Sequence, residues 1–395
     1  MKRILHGLIA AAAAFAILCT FGTAAAQTSL DFILKPYLSR YDLPALAAAV
    51  VKDGKVIAAG AVGTRRAGKN IPVTLNDRFH IGSDTKAFTA LLAAMLVEEG
   101  KLRWNATVAE VFGELADKMD PRLKTVTLTQ LLSHTSGIPT DNEVIMKAYR
   151  EAMDQDGNLD EMRYWLVRHW STQPLALDPG AQFAYSNLGY TFAGAMIERV
   201  AKMTWDEAVM EKIFNPLQLR TAGLGPQSSL GKIDAPIGHL IIDGRPKPVL
   251  AGPNGDGPAL IGPAGIAHMS ILDFVRWAGW NAAGGKRGPK LVKPETMQKL
   301  HTPVITMPDK KDAPPGTPPG GKYGLGWGEL HPEWAPHPLL YHGGSNGMNL
   351  AKIWIDKERD FAMVMATNIS GRKADEALQA LVFELYKSFS TKPVE

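Results

Sequence analysis

A hydroxyl and a primary amine stand three residues apart in Ser83-Asp84-Thr85-Lys86. The stretch follows His80-Ile81-Gly82 and opens an apolar helical period over 84–99. Ser83 is therefore expected at a helix N-terminus, where free backbone N–H groups and the positive dipole end stabilise developing negative charge. A spacing of three puts both side chains on one helical face within hydrogen-bonding reach. That is the arrangement of an activated nucleophile. Ser-x-x-Lys is nonetheless a short pattern, and it recurs at Ser229 with Lys232 and at Ser370 with Lys373. The first recurrence lies in a Gly/Pro stretch and the second just after an expected strand, whereas Ser83 alone opens an apolar helix. The plain alternative for Ser83 is an ordinary N-cap.

Two further stretches offer complementary groups. Tyr185-Ser186-Asn187 follows the turn signal Asp178-Pro179-Gly180 and precedes a helical run over 188–200, which places a phenol and an amide on a loop. A phenol titrating near pH ~10 is a poor base in water, but a neighbouring ammonium such as Lys86 would favour the phenolate. His342-Gly343-Gly344-Ser345-Asn346 leads toward a strand at 350, and its paired glycines let a ligand or another backbone come close. Lys322-Tyr323-Gly324 and His80-Ile81-Gly82 compete for the same loose pattern of a cation, any residue and glycine. His134, within Leu131-Leu132-Ser133-His134-Thr135-Ser136-Gly137, is read as structural, and Trp277, Trp280 and Trp327 as core or cleft wall.

Groups so distant in sequence need a scaffold. Apolar runs at 46–51 and 55–62 flank Asp53-Gly54, a dipeptide suited to a tight hairpin turn. Runs at 350–355 and 361–367 repeat the pattern near the other end, followed by an amphipathic helix over 373–389. The two chain ends are expected to share one antiparallel sheet. Between them lie helical periods at 84–99, 188–203 and 205–214, and Ser270 is expected to cap a helix running through Trp280. The expected class is α/β of the α+β kind: an antiparallel sheet flanked by helices over 27–85 and 266–395, with an inserted, mostly helical domain over 86–265. Gly/Pro-rich stretches at 223–265 and 303–322 read as functional lids or mobile connectors.

Composition excludes several classes. At 395 residues, 46% hydrophobic and 21% charged, the chain is neither disordered nor collagenous. Its 43 Lys and Arg against 39 Asp and Glu are interspersed, so no basic stripe points to nucleic acid. Cys19 is the single cysteine, which rules out an internal disulfide and a thiolate metal cluster and leaves oxygen or nitrogen nucleophiles. Lys2-Arg3, an apolar stretch over 8–21 and Ala24-Ala25-Ala26 read as a secretory leader cleaved before Gln27, with export to the periplasm or beyond. No later segment reads as a membrane span.

In this order, Ser83-x-x-Lys86, Tyr185-x-Asn187 and His342-x-Gly344 resemble the three motifs of the penicillin-recognising serine hydrolases, especially the class C β-lactamase group, which also holds esterases, D-aminopeptidases and D-alanyl-D-alanine carboxypeptidases. The likeness extends through Phe79-His80-Ile81-Gly82-Ser83, the 131–137 segment and Tyr323-Gly324-Leu325-Gly326-Trp327. It implies a β-lactamase/transpeptidase-like fold with the active site between sheet and helical domain. It also implies Ser83 as nucleophile, Lys86 as proton shuttle, Tyr185 as general base and later proton donor, and Asn187 as the group orienting substrate. Lys86 and Tyr185 both stay open as the true base. The oxyanion hole would use the Ser83 and Ser345 backbone N–H groups, beside Gly344. The implied reaction is two-step acyl transfer without metal or organic cofactor, on a small ester, amide or β-lactam, with peptidoglycan fragments among the candidate ligands.

One departure bears on substrate. Most β-lactamases of the group begin the third motif with lysine, a permanent cation for a substrate carboxylate, whereas a histidine is mostly neutral at pH 7. His342 thus points toward short esters or D-amino-acid amides. A catalytically silent receptor for peptidoglycan fragments or a protein, and an acyl transferase using an amine or alcohol in place of water, are the competing readings.

Overall fold

In the computed structural model, which describes residues 27–391 apart from 251, 253, 254, 311, 312, 318 and 319, the hairpins from opposite ends of the chain lie side by side. The secretory leader read at 1–26 lies outside the described residues. In chain order the strands are β1 (Thr28–Ser29), β2 (Ala45–Lys52), β3 (Lys55–Gly63), β4 (Arg78–Gly82), β5 (Gly223–Leu224), β6 (Gly238–Ile242), β7 (Arg245–Val249), β8 (Ala267–Ser270), β9 (Ile305–Met307), β10 (Gly321–Tyr323), β11 (Gly328–Leu330), β12 (Leu339–Ser345), β13 (Leu350–Asp356) and β14 (Phe361–Thr367). The main sheet has the order β1-β3-β2-β14-β13-β12-β11-β10-β9, and β14 pairs with β2 so that Val364 faces Ala49. Its neighbours are antiparallel except β1 along β3.

Period-two alternation sorts the side chains into two layers. Ala47, Ala49, Val51, Ile353 and Val364 face the core shared with helices Ile271–Ala282 and Lys86–Glu98. Leu46, Ala48, Val50, Trp354 and Met363 face the opposite core, closed by helix Arg372–Phe389. Asp53 and Gly54, with φ of 49° and 77°, make the β2–β3 turn. Ser270 caps its helix by accepting the Asp273 N–H at 3.2 Å.

Three expectations are corrected. The 223–265 stretch carries the hairpin β6–β7, in which Pro246 and Pro248 alternate with Arg245, Lys247 and Val249. A proline at every second position leaves the intervening N–H groups free for the ladder. The 303–322 stretch holds β9 and opens into β10, and these two pair with each other. His342 lies inside β12 rather than on an approach to a strand at 350, because β12 pairs with β13 along its length. Its other edge is covered by β11 at 339–341, and among the described residues 342–345 have no strand partner on that side. Among the described residues no helix is long and apolar enough to cross a membrane.

Candidate active site

Strand β4 ends at Gly82, whose φ of 52° and ψ of −132° strain any residue with a side chain. A Cβ there would strike the Ser345 amide, and one on Gly344 would strike the Ile81 carbonyl and crowd the Ser83 amide. Two glycines therefore let β4 and the end of β12 meet backbone to backbone. The chain then makes one 3₁₀ turn, Ser83–Thr85, and continues as helix Lys86–Glu98. The Thr85 hydroxyl secures the turn, donating to the Gly82 carbonyl at 2.6 Å and accepting the Ala267 N–H at 3.1 Å.

Lys86, on the first turn of that helix, is fully buried. Its Nζ lies 2.7 Å from Asn187 Oδ1, 2.7 Å from the Ala264 carbonyl and 3.1 Å from Ser83 Oγ. A neutral amine has two N–H groups and one lone pair. Two carbonyl oxygens take the N–H groups, and the lone pair is left facing the half-buried serine. Burial lowers the Lys86 pKa to about 7, opposed by the carboxylates of Asp141 and Asp84.

Asn187 opens helix Asn187–Ala201, whose cap is Ser186 Oγ accepting the Gly189 N–H at 3.0 Å. Its Nδ2 donates to Asp141 Oδ2 at 2.7 Å, and Asp141 Oδ1 accepts from the Tyr149 hydroxyl at 3.1 Å. This chain fixes the amide so that its oxygen points at Lys86. His134, at φ 59°, accepts the Ser186 N–H on Nδ1 at 3.1 Å and lies 4.2 Å from the Tyr185 ring centre to centre, a packing post beneath the second motif.

The phenolate expected at Tyr185 is not favoured. Burial pushes its pKa up, the Ser83 hydroxyl pulls the other way, and the Asp141 and Asp84 carboxylates raise it further. Lys86 Nζ sits 4.7 Å over the ring centre rather than beside the buried phenol oxygen. Lys86 therefore meets the ring face rather than the phenol oxygen, and burial sets the direction of the shift.

His342 is 1% exposed. Nδ1 lies 2.9 Å from the Gly343 carbonyl and Nε2 2.9 Å from the Tyr323 hydroxyl, so the ring donates from Nδ1 and accepts at Nε2. Burial drives its pKa down to about 3, with Lys86 adding to the fall and the Gly343 carbonyl opposing it. Asp84 Oδ1 stands 3.7 Å from Nδ1, and both Asp84 oxygens are buried without hydrogen-bond partners among the described residues. Desolvation holds that carboxyl well above the usual carboxylate range, with Lys86 and Lys352 opposing. The Ser345 hydroxyl is engaged elsewhere, 2.8 Å from Ser370 Oγ.

The structure thus brings Ser83, Lys86, Tyr185 and Asn187 together and sets the backbone of Gly344 and Ser345 against them. The other patterns fall away. Ser229 bonds to Asp234, Lys373 pairs with Asp42, and Lys322 lies 3.9 Å from Glu329 at the surface. Trp277 stacks on Trp280 and Trp327 at 5.6 and 6.4 Å in the core. Sequence reading misses Asp141 and the Ala264 carbonyl. No spacing links 141 to 187, and a backbone acceptor leaves no trace in residue type. Among the described residues no group of three or more His, Cys, Asp or Glu side chains could hold a metal ion.

Residues 30–387 match the family model described as Beta-lactamase. Protein flp of Staphylococcus aureus strain MW2 is 23% identical over 367 residues, spanning 92% of this chain and 68% of that protein. Penicillin-binding protein 4 of Amycolatopsis lactamdurans is 30% identical over 242 residues, or 61% of this chain and 60% of its own length. The octameric penicillin-binding protein homologue from Pyrococcus abyssi aligns with a TM-score of 0.70 at 27% identity, covering 89% of this chain and 76% of that one. With a match over nearly all the described residues and a sheet and helices arranged as in a penicillin-binding protein homologue, the chain belongs to the Beta-lactamase family.

Proposed function

We propose that this protein is a secreted serine hydrolase that forms an acyl-enzyme on Ser83 and releases it to water, acting on a short ester or a D-amino-acid amide. The observation that carries the reading is the Lys86 amine, held by two carbonyl oxygens with its remaining position 3.1 Å from Ser83 Oγ. A base with a pKa of about 7 is matched to proton transfer near neutral pH. Lys86 takes the hydroxyl proton as Oγ attacks the carbonyl carbon, and the Ser83 and Ser345 amides receive the oxyanion. The Lys86 ammonium returns that proton to the leaving atom, and Tyr185, kept a phenol by its raised pKa, supports the departing atom as a hydrogen-bond donor. Water then attacks the acyl-enzyme with the same groups in reverse. Relatives named for penicillin binding support a serine open to acylation, and the leader features at 1–26 support a periplasmic or extracellular site of action.

Substrate class follows from the third motif. A neutral His342 turned into the protein offers no cation to a substrate carboxylate. Short p-nitrophenyl esters are therefore expected to turn over faster than cephalosporins. A panel of esters, D-alanyl amides, penicillins and cephalosporins checks the ranking, and equal or better cephalosporin turnover would overturn it.

Asp141 leaves a second mark. It is the first among the charges that hold the Lys86 pKa up, so Asp141→Ala is expected to move the acid limb of kcat/KM from about pH 7 to lower pH. Loss of activity with that limb unmoved would show that Asp141 only supports the loop.

A further inference from the structure

His80 lies in β4, three residues before Ser83, fully buried and with both ring nitrogens engaged. Nδ1 accepts the Gly82 N–H at 3.1 Å, which leaves the ring proton on Nε2, and Nε2–H donates to Asp256 Oδ2 at 2.9 Å. The other oxygen of Asp256 accepts from Asn346 Nδ2 at 2.9 Å and from the Gly257 N–H at 2.8 Å. Asn346 follows Ser345 directly, and its own Oδ1 gathers the N–H groups of Met348 and Asn349 at 3.2 and 3.0 Å. The Asp256 side chain is 5% exposed. One buried carboxylate thus joins the segment leading into Ser83 to the segment leading out of Ser345.

The geometry points to Asp256 as a clamp that sets the spacing of the oxyanion hole, holding the Gly82 backbone through His80 and the Ser345–Asn349 turn through Asn346. The inference deepens the hydrolase reading and rests on it. Glycine can take many backbone conformations, and the His80 acceptor on its N–H is one of the contacts that hold Gly82 in this one. Rotation at Gly82 re-aims the Ser83 N–H, just as loosening of the Asn346 turn re-aims the Ser345 N–H. Both donors must lie within hydrogen-bond reach of one oxygen, and an error of ~1 Å costs about 10²-fold. His80, Asp256 and Asn346 are positioning residues, acting through backbone.

The test uses Asp256→Ala, Asp256→Glu and Asn346→Ala on the full chain. Asp256→Ala is expected to lower kcat on a short p-nitrophenyl ester ~10- to 100-fold with KM within about twofold, the pattern of an interaction felt mainly in the transition state. Affinity for a boronic acid that forms a tetrahedral adduct on Ser83 should fall in parallel, and Asp256→Glu should recover part of both. Deuterium exchange should quicken together in peptides covering 79–84 and 343–349. Asn346→Ala, at a half-buried site, gives the same pattern if Asp256→Ala does not fold. The clamp is overturned if either folded variant keeps wild-type kcat and boronate affinity, or if the two segments exchange independently. A wild-type protein that a fluorophosphonate fails to label would instead overturn the hydrolase reading, and the clamp's catalytic role with it.

Discussion

Changing Ser83 to alanine is expected to cut turnover of every substrate by about 10⁴- to 10⁶-fold, the scale seen when a nucleophile is removed from an acyl-transfer site. Fluorophosphonate or labelled penicillin should give one covalent adduct on the wild-type chain, located on Ser83 by mass spectrometry, and none on the variant. Folding should be little affected. Ser83 is half-buried on a 3₁₀ turn that is secured by Thr85 rather than by the serine hydroxyl, so loss of labelling cannot be credited to unfolding if the thermal midpoint holds. Undiminished labelling of the variant would move the chemistry to another residue.

Replacing Lys86 with methionine is expected to cost at least ~10²- to 10⁴-fold in kcat, the range of a general base, and to change how stability depends on pH. Methionine keeps an unbranched apolar stem in the buried site. In the wild type the folded pKa is about 7, below the ~10.4 of a free lysine. Between these values the unfolded chain binds more protons than the folded one, so wild-type stability rises with pH across that window. The burial penalty is fully present below pH ~7 and is removed as pH passes the free-lysine value. Methionine has no such slope. Urea titrations at several pH values should show the wild type gaining on the variant between pH 7 and 10, by at most about 1.4 kcal/mol for each tenfold fall in proton concentration. The rate profile should agree, with wild-type kcat/KM falling below an apparent pKa of about 7 as the amine is protonated. A flat stability difference would mean that Lys86 is solvated or charged throughout.

Local features of the chain were readable without coordinates. Short apolar runs at 46–51, 55–62, 350–355 and 361–367, bounded by turn residues, mark strands covered on both faces, and the structure pairs these runs directly. The paired glycines at 343 and 344 were readable as permitting close approach, and at 344 the approaching backbone is β4; the matching need at Gly82 was not read. Single through-space partners have no such signature. Asp141 reaches Asn187 across 46 residues and Asp256 reaches His80 across 176, and neither separation repeats. The phenolate expectation for Tyr185 assumed that an ammonium nearby lies near the oxygen, which residue order cannot tell. The burial of His342 was hidden for a related reason. Its neighbours Tyr323 and Asp84 come from two other segments.

The pairing of β2 with β14 also has a consequence for how the polypeptide is made. The Thr367 hydroxyl bonds to the Ala45 carbonyl across 322 residues, so the first hairpin leaves the ribosome with a bare edge and two greasy sides. It must wait for about 300 further residues before its neighbour arrives. Exposed edges of this kind invite pairing with other chains, and closure over such a long loop is slow. The two backbone amides of the proposed oxyanion hole, at Ser83 and Ser345, are likewise contributed early and late in synthesis. A nascent chain halted before β12 carries the serine and its amine without the Ser345 amide.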